Sequence, residues 1–141
     1  MKSNCLNLRT IFMAAFAVTV SFCLTTDATA QAKPKGKPWP APADAIAKKS
    51  PVKGADAIKE GKELYAQHCK SCHGAKGQGD GAKADKLDIT PGDFTSAESA
   101  KVSEGEMYWK TTQGRKPMPA FKDKLTDNER WSVIMYVKSL K

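Results

Sequence analysis

The sequence predicts an all-α domain of about three to five helices. Three observations predict it. Small and apolar residues recur at helical spacing over Asp56–His68, with Ile58, Gly61, Tyr65 and His68 on one face and Leu64 at its edge. Two Ser/Thr-x-x-Glu capping boxes, Ser103 with Glu106 and Thr126 with Glu129, stand ahead of later helical segments. No stretch alternates apolar and polar residues as a half-buried strand would. With 141 residues, 40% hydrophobic and 27% charged, the chain has the composition of one globular domain plus its flanks.

The first thirty residues read as a signal peptide. Lys2 and Arg9 supply the positive end, Ile11 to Leu24 is an apolar run of fourteen residues, and Ala28-Thr29-Ala30 fits the small-x-small cleavage rule. Two alternatives compete. A spanning anchor wants roughly 20 apolar residues, so this run is short for one. A lipoprotein signal ending at Cys23 would need a small residue where Phe22 stands. The expected organisation is a signal peptide over 1–30, a Pro/Lys-rich arm or linker over 31–54, and a folded domain over 55–141. The expected location is the periplasm, with membrane contact only if the signal segment is retained. Five of the eight prolines lie in the arm, which therefore cannot be helical throughout. Gln31–Lys37 reads as a flexible tether, and Trp39 as an anchor to the domain surface. The formal net charge is +8. Cleavage removes two basic residues and one acidic one, leaving about +7. A basic surface suits acidic protein partners. It also suits nucleic acid, which an exported protein rarely meets.

The remaining elements follow in order. The helix over 56–68 gives way to Gly74–Gly81, a glycine-rich loop without the G-K-[ST] ending or preceding strand of a phosphate loop. Pro91-Gly92-Asp93 marks a turn. The Ser103 box opens a helix to about Thr112, and Gly114 is placed to end it. Pro117-Met118-Pro119 is extended, because its prolines forbid a helix. The Thr126 box opens the last helix, to about Leu140, with Val133, Ile134, Tyr136, Val137 and Leu140 as an apolar arc. No internal repeat is visible, so one site is expected.

The chemistry lies at Cys69-Lys70-Ser71-Cys72-His73, a C-x-x-C-H motif. Two thiols at this spacing can join the two vinyl groups of one haem as thioethers, and the adjacent imidazole then reaches the iron. The other cysteines, Cys5 and Cys23, fall in the signal segment, so a disulfide framework has no members. A zinc site needs four ligands, and His68 is badly placed to complete one. A thioredoxin-like pair belongs in a βαβ setting that is absent. His68 itself reads as a packing or surface residue.

From about Ala55 onward the sequence resembles a class I c-type cytochrome, in particular the small bacterial monohaem members. Gly61 and Tyr65 stand eight and four residues before the first motif cysteine, as a Gly and an aromatic often do in that family. The CHG and GQGDG runs and the later GRKPMPAF and LTDNERWSVIMYVKSL runs are also similar to it. The resemblance implies a cytochrome c fold, with first and last helices crossing near one covalently bound haem c and its iron. Gly61 would face Val133 and Tyr136 there. The arm with Trp39 lies outside the resemblance.

Of the methionines Met107, Met118 and Met135, the first and last fall in helices, where methionine usually fills a core. Met118 sits on a rigid loop between prolines and resembles the family's distal ligand. The expected axial pair is therefore His73 and Met118. The resemblance also suggests a proline carbonyl, here Pro91, for the other N–H of His73, and Arg115, Trp109 or Tyr108 as propionate contacts. With both axial positions filled by protein, electron transfer is expected rather than catalysis. The expected role is a respiratory electron carrier. A dehydrogenase or quinol-oxidising complex would be its donor, and a terminal oxidase or reductase its acceptor. The runner-up is a haem subunit held in a larger oxidoreductase complex. A peroxidase would need an open iron site and a distal base, and neither is evident. Lys70, Lys76, Lys116 and Lys122 are candidates for a positive rim around the haem edge.

Overall fold

The computed structural model describes residues 34–140, so the expected signal peptide lies outside the described residues. Six helices follow in order: α1 (Ala43–Ala47), α2 (Gly54–His68), α3 (Lys70–His73), α4 (Ala97–Lys101), α5 (Glu104–Gln113) and α6 (Asp127–Ser139), with a 3-10 turn at Ala84–Lys86. Among the described residues there is no strand, only an isolated bridge between Arg115 and Met118. The architecture is the all-α one expected. The count rises to six because α1, α3 and α4 are single turns too short to leave a periodic signal.

The frame is the packing of α2 on α6. Ala57, Gly61 and Tyr65 recur every four residues along α2 and form its buried face. Thr126 caps α6 with a complete capping box: its hydroxyl accepts from the Glu129 N–H, and the Glu129 carboxylate accepts from the Thr126 N–H at 2.7 Å. Arg130 to Ile134 and Val137 are the buried positions of α6. Each large apolar side chain buried here contributes about 1.5–3 kcal/mol.

Gly61 marks the closest approach of the two helices. A Cβ there would run into the Ser132 carbonyl, and the Tyr136 Cβ would lie 3.0 Å away. Tyr136 thus faces Gly61 as expected, but the second neighbour is the Ser132 backbone and not Val133. One residue of helix turns about 100°, and that rotation points Val133 into the cavity described below. Ser132 is fully buried and donates to Glu60 Oε2 at 2.7 Å across the same contact. Tyr65, 2% exposed, donates its hydroxyl to the Gly74 carbonyl at 2.8 Å and packs edge-on against Tyr136.

Only half of the first capping box forms. The Ser103 hydroxyl caps the Glu106 N–H at 3.1 Å, while the Glu106 carboxylate turns to Lys110 one turn on. The Ser103 hydroxyl also donates to the Ile46 carbonyl, and Gly105 lies against the Ala45 and Lys48 carbonyls, so α1 seats directly on α5. Of the stretch expected as a flexible tether, Gln31–Lys37, the described part is bonded to the domain, and Trp39 beyond it packs on Trp109. From Pro34 the arm's backbone is held: the Thr90 N–H donates to the Pro34 carbonyl, and Arg115 donates to the carbonyls of Lys37 and Pro38. Residues 31–33 lie outside the described residues.

Candidate haem site

The C-x-x-C-H motif begins where α2 ends. Cys69 is the C-cap of α2, and α3 carries the rest of the motif as one turn. The glycine-rich loop folds back over that turn. The Gly79 N–H donates to the His73 carbonyl at 2.9 Å, Gly81 to Cys72 at 3.1 Å, and Lys83 to Ser71 at 2.8 Å. These bonds satisfy carbonyls that a four-residue helix leaves open, and so pin the motif. Gly74, at φ 82°, supplies the left-handed turn that leads the chain out of α3.

Cys69, Cys72 and His73 open into a cavity of about 240 Å³ that also has Met118 in its lining, with Leu87, Ile89, Pro91 and Phe121 as apolar walls. A second lobe of about 610 Å³ shares Cys69, His73 and Met118 and extends to Met107, Val133, Ile134 and Val137. This is the size and apolar character of a pocket for a large flat cofactor.

Burial disfavours the charged forms of both the imidazole and the first thiol. Desolvation lowers the His73 pKa, opposed by its bond to the Gly92 carbonyl. Desolvation, and then the neighbouring Cys72, push the Cys69 thiol up to about 12. Burial thus works against the thiolate that a thioredoxin-like nucleophile needs. Among the described residues no group of three His, Cys, Asp or Glu side chains could hold a metal ion, so the zinc alternative has no ligand set.

The Nδ1 of His73 lies 3.4 Å from the Gly92 carbonyl, one residue beyond the expected Pro91. The Pro91 carbonyl points instead at Gly79. With Nδ1 engaged there, Nε2 is the nitrogen left for a metal. Phe94 stacks on the His73 ring, centroids 4.6 Å apart and 21° from parallel. Sequence reasoning missed Phe94, for no periodic or motif signal marks an aromatic just past a turn.

Met118 stands on a tight turn whose N–H donates to the Arg115 carbonyl at 2.8 Å, with a cis Lys116–Pro117 bond. Met107 is buried at the second lobe and Met135 is half-buried on α6. Met107 thus also borders the cavity, but from a helix within the apolar cluster of Tyr65, Phe121, Leu125 and Ile134. Arg130, unremarked in the sequence, is buried and donates to the carbonyls of Lys122 and Leu125 and to the Tyr108 hydroxyl. It ties the chain after Met118 to α5 and α6. This bond occupies Tyr108, which also stacks on Trp131 at 4.0 Å. His68, exposed at the cavity edge, faces Phe121 as a packing residue would.

The family described as "Cytochrome C oxidase, cbb3-type, subunit III" matches residues 56–137. Solved structures are similar too. A chain of the Kuenenia stuttgartiensis reducing HAO-like protein complex Kustc0457/Kustc0458 is 35% identical with a TM-score of 0.58, over 64% of this chain and 46% of that one. The match thus spans less than half of that relative's length. The KustC0563 c-type cytochrome is 32% identical with a TM-score of 0.51, over 57% of this chain and 96% of that one. No curated protein matches. With the motif, the crossed helices and the apolar cavity in place, this chain belongs to the cytochrome c family described as cbb3-type oxidase subunit III, and is a class I c-type cytochrome whose covalent haem c serves electron transfer.

Proposed function

We propose that the protein is a periplasmic monohaem electron carrier with His/Met ligation. Cys69 and Cys72 would hold the haem as thioethers, and His73 and Met118 would ligate its iron. The observation that carries this reading is the lining of one apolar cavity by all four side chains. The donor set fits the group: two thiols at vinyl spacing, a neutral imidazole with Nδ1 already engaged, and a thioether on a rigid turn. When bound, the haem supplies a one-electron couple. The chain supplies the rest. His73 and Met118 would hold the iron between them, and so would leave no open position for oxygen or peroxide. The apolar walls exclude water and favour the less charged reduced state.

The carrier passes its electron from a dehydrogenase or quinol-oxidising complex to a terminal oxidase or reductase. A second reading is a haem subunit held in an oxidoreductase complex. One observation favours it: the solved relative at 35% identity belongs to a protein complex. Sedimentation of native extracts separates the two, since a carrier runs as a small species and a subunit with its complex.

The deciding experiment joins mass spectrometry of the purified protein to a reduced-minus-oxidised spectrum with redox titration. The expected result is one haem added to a chain beginning near Gln31, a c-type spectrum, and a potential raised by thioether ligation. A mass equal to the bare polypeptide rejects the reading.

A further inference from the structure

The arm ahead of the family match binds two different loops of the cavity. Its first residues hold the loop on the His73 side. The Thr90 N–H donates to the Pro34 carbonyl at 3.3 Å, and Gly36 lies so close to Ile89 that an added Cβ would be 3.1 Å from its Cδ1. Its next residues hold the loop on the Met118 side. The Arg115 guanidinium donates to the Lys37 carbonyl at 2.9 Å and the Pro38 carbonyl at 3.2 Å, and sits 4.7 Å from the centre of the Trp39 ring. Trp39 also packs on Trp109 of α5, centroids 5.7 Å apart. Gly36, Trp39 and Arg115 all line the cavity beside Pro117 and Met118.

Arg115 is also the root of the Met118 turn, since its carbonyl accepts the Met118 N–H. The arm therefore grips the residue from which the methionine loop departs. Behind the strap, Ala41, Ala45 and Ser50 are buried, and α1 is bonded to α5, so the grip has a fixed base.

We propose that residues 34–39 are a strap across the cavity mouth, and that Trp39 and Arg115 are positioning residues that hold Met118 on the iron. The proposal rests on the reading of Met118 as axial ligand. A forked guanidinium on two carbonyls, with an indole stacked against it, is suited to the task. A lysine in place of Arg115 keeps the charge but loses the fork. The strap acts through the Arg115 backbone, whose carbonyl accepts the Met118 N–H.

The test uses the intact holoprotein and two readouts. The first is the rate at which added imidazole displaces the methionine from ferric iron, which is limited by opening of the Met118 loop. The second is amide hydrogen exchange over residues 115–121. Trp39→Ala, Arg115→Gln and Arg115→Lys are each expected to speed imidazole binding about tenfold or more, equivalent to about 1.4 kcal/mol off the closed loop. Trp39→Phe, which keeps a ring for Arg115, is expected to stay within about threefold of the parent, since a cation–π contact survives on Phe. Faster exchange at 115–121 is expected in the same variants. If Trp39→Ala destroys folding, Arg115→Lys alone decides. Imidazole rates and amide exchange both unchanged in that variant overturn the strap. If Met118→Ala leaves the ferric spectrum unaltered, the ligand reading fails instead. The strap is then judged on amide exchange alone: faster exchange upholds its grip on the loop, and unchanged exchange rejects it.

Discussion

At the scale of single residues, the site depends on side chains that are individually replaceable and chemically distinct. Cys69→Ala or Cys72→Ala is expected to leave at most one thioether, and the double change to yield apoprotein, as mass spectrometry reads directly. Met118→Ala is expected to lower the reduction potential, open the iron to carbon monoxide, and abolish the absorption band near the red edge that reports Fe(III)–sulfur bonding. If Met107→Ala does this and Met118→Ala does not, the buried helix methionine is the ligand. Arg130 is a different kind of residue, buried and bonded to two loop carbonyls and a phenol. Its removal leaves the buried Leu125 carbonyl without this donor and also breaks the part-buried bonds to Lys122, Tyr108 and Asp127. Arg130→Ala is expected to destabilise the protein by about 2–4 kcal/mol in urea denaturation.

At the scale of elements, the crossing of α2 and α6 carries the frame. Ala in place of Gly61 would gain about 1 kcal/mol of helix propensity. It would also drive a methyl into the Ser132 carbonyl, a backbone atom that cannot swing aside. Overpacking of this kind costs about 1–3 kcal/mol. The expected net result is a lower melting temperature for Gly61→Ala, and an equal or higher one would refute the close approach. The start of α6 has its own pH dependence. The N–H and then the hydroxyl of Thr126 hold the Glu129 carboxyl below its ordinary value of 4.5. A lowered folded pKa means the contribution is complete above the ordinary value and is lost as pH falls through the lowered one. Thr126→Ala is expected to cost about 0.5–2 kcal/mol at neutral pH, and the gap to the parent is expected to narrow as the solution is acidified below the ordinary value of 4.5.

At the scale of the whole molecule, the net charge makes a prediction about encounter with redox partners. The chain is net basic, and Lys70, Lys116 and Lys122 are exposed beside the cavity-lining residues Cys69, Pro117 and Phe121. Lys76, grouped with them in the sequence reading, borders a separate hollow with Gln78, Tyr136 and Leu140. A soluble carrier binds partners briefly, through contacts that charge steers. The rate of electron transfer to an acidic acceptor is therefore expected to fall with rising salt, as screening shortens to roughly 8 Å at physiological ionic strength. Reversing Lys70 and Lys116 to Glu is expected to slow it further, while Lys76→Glu has the smaller effect. A rate indifferent to salt with the native partner would favour the subunit reading. No helix among the described residues is long and apolar enough to cross a membrane.

What the sequence by itself determined is local chemistry and local periodicity. The C-x-x-C-H spacing, the Thr126 capping box, the helical face of Tyr65 and the prolines flanking Met118 each act within a few residues, so each is written in consecutive letters. The class of the fold follows from them, because crossed amphipathic helices must bury their apolar faces together. What only the tertiary structure decided is which distant groups meet. Gly92 in place of Pro91 at His73, Phe94 on the imidazole, and Ser132 rather than Val133 at Gly61 are differences of one residue or one helical rotation. The arm shows this most clearly. Its first residues, Gln31–Lys37, read as a flexible tether with only Trp39 as an anchor, yet the carbonyls of Lys37 and Pro38 are held by Arg115, nearly eighty residues away. Backbone carbonyls carry no sequence identity, so a side chain that recruits them from a distant segment leaves no trace in the composition of that segment.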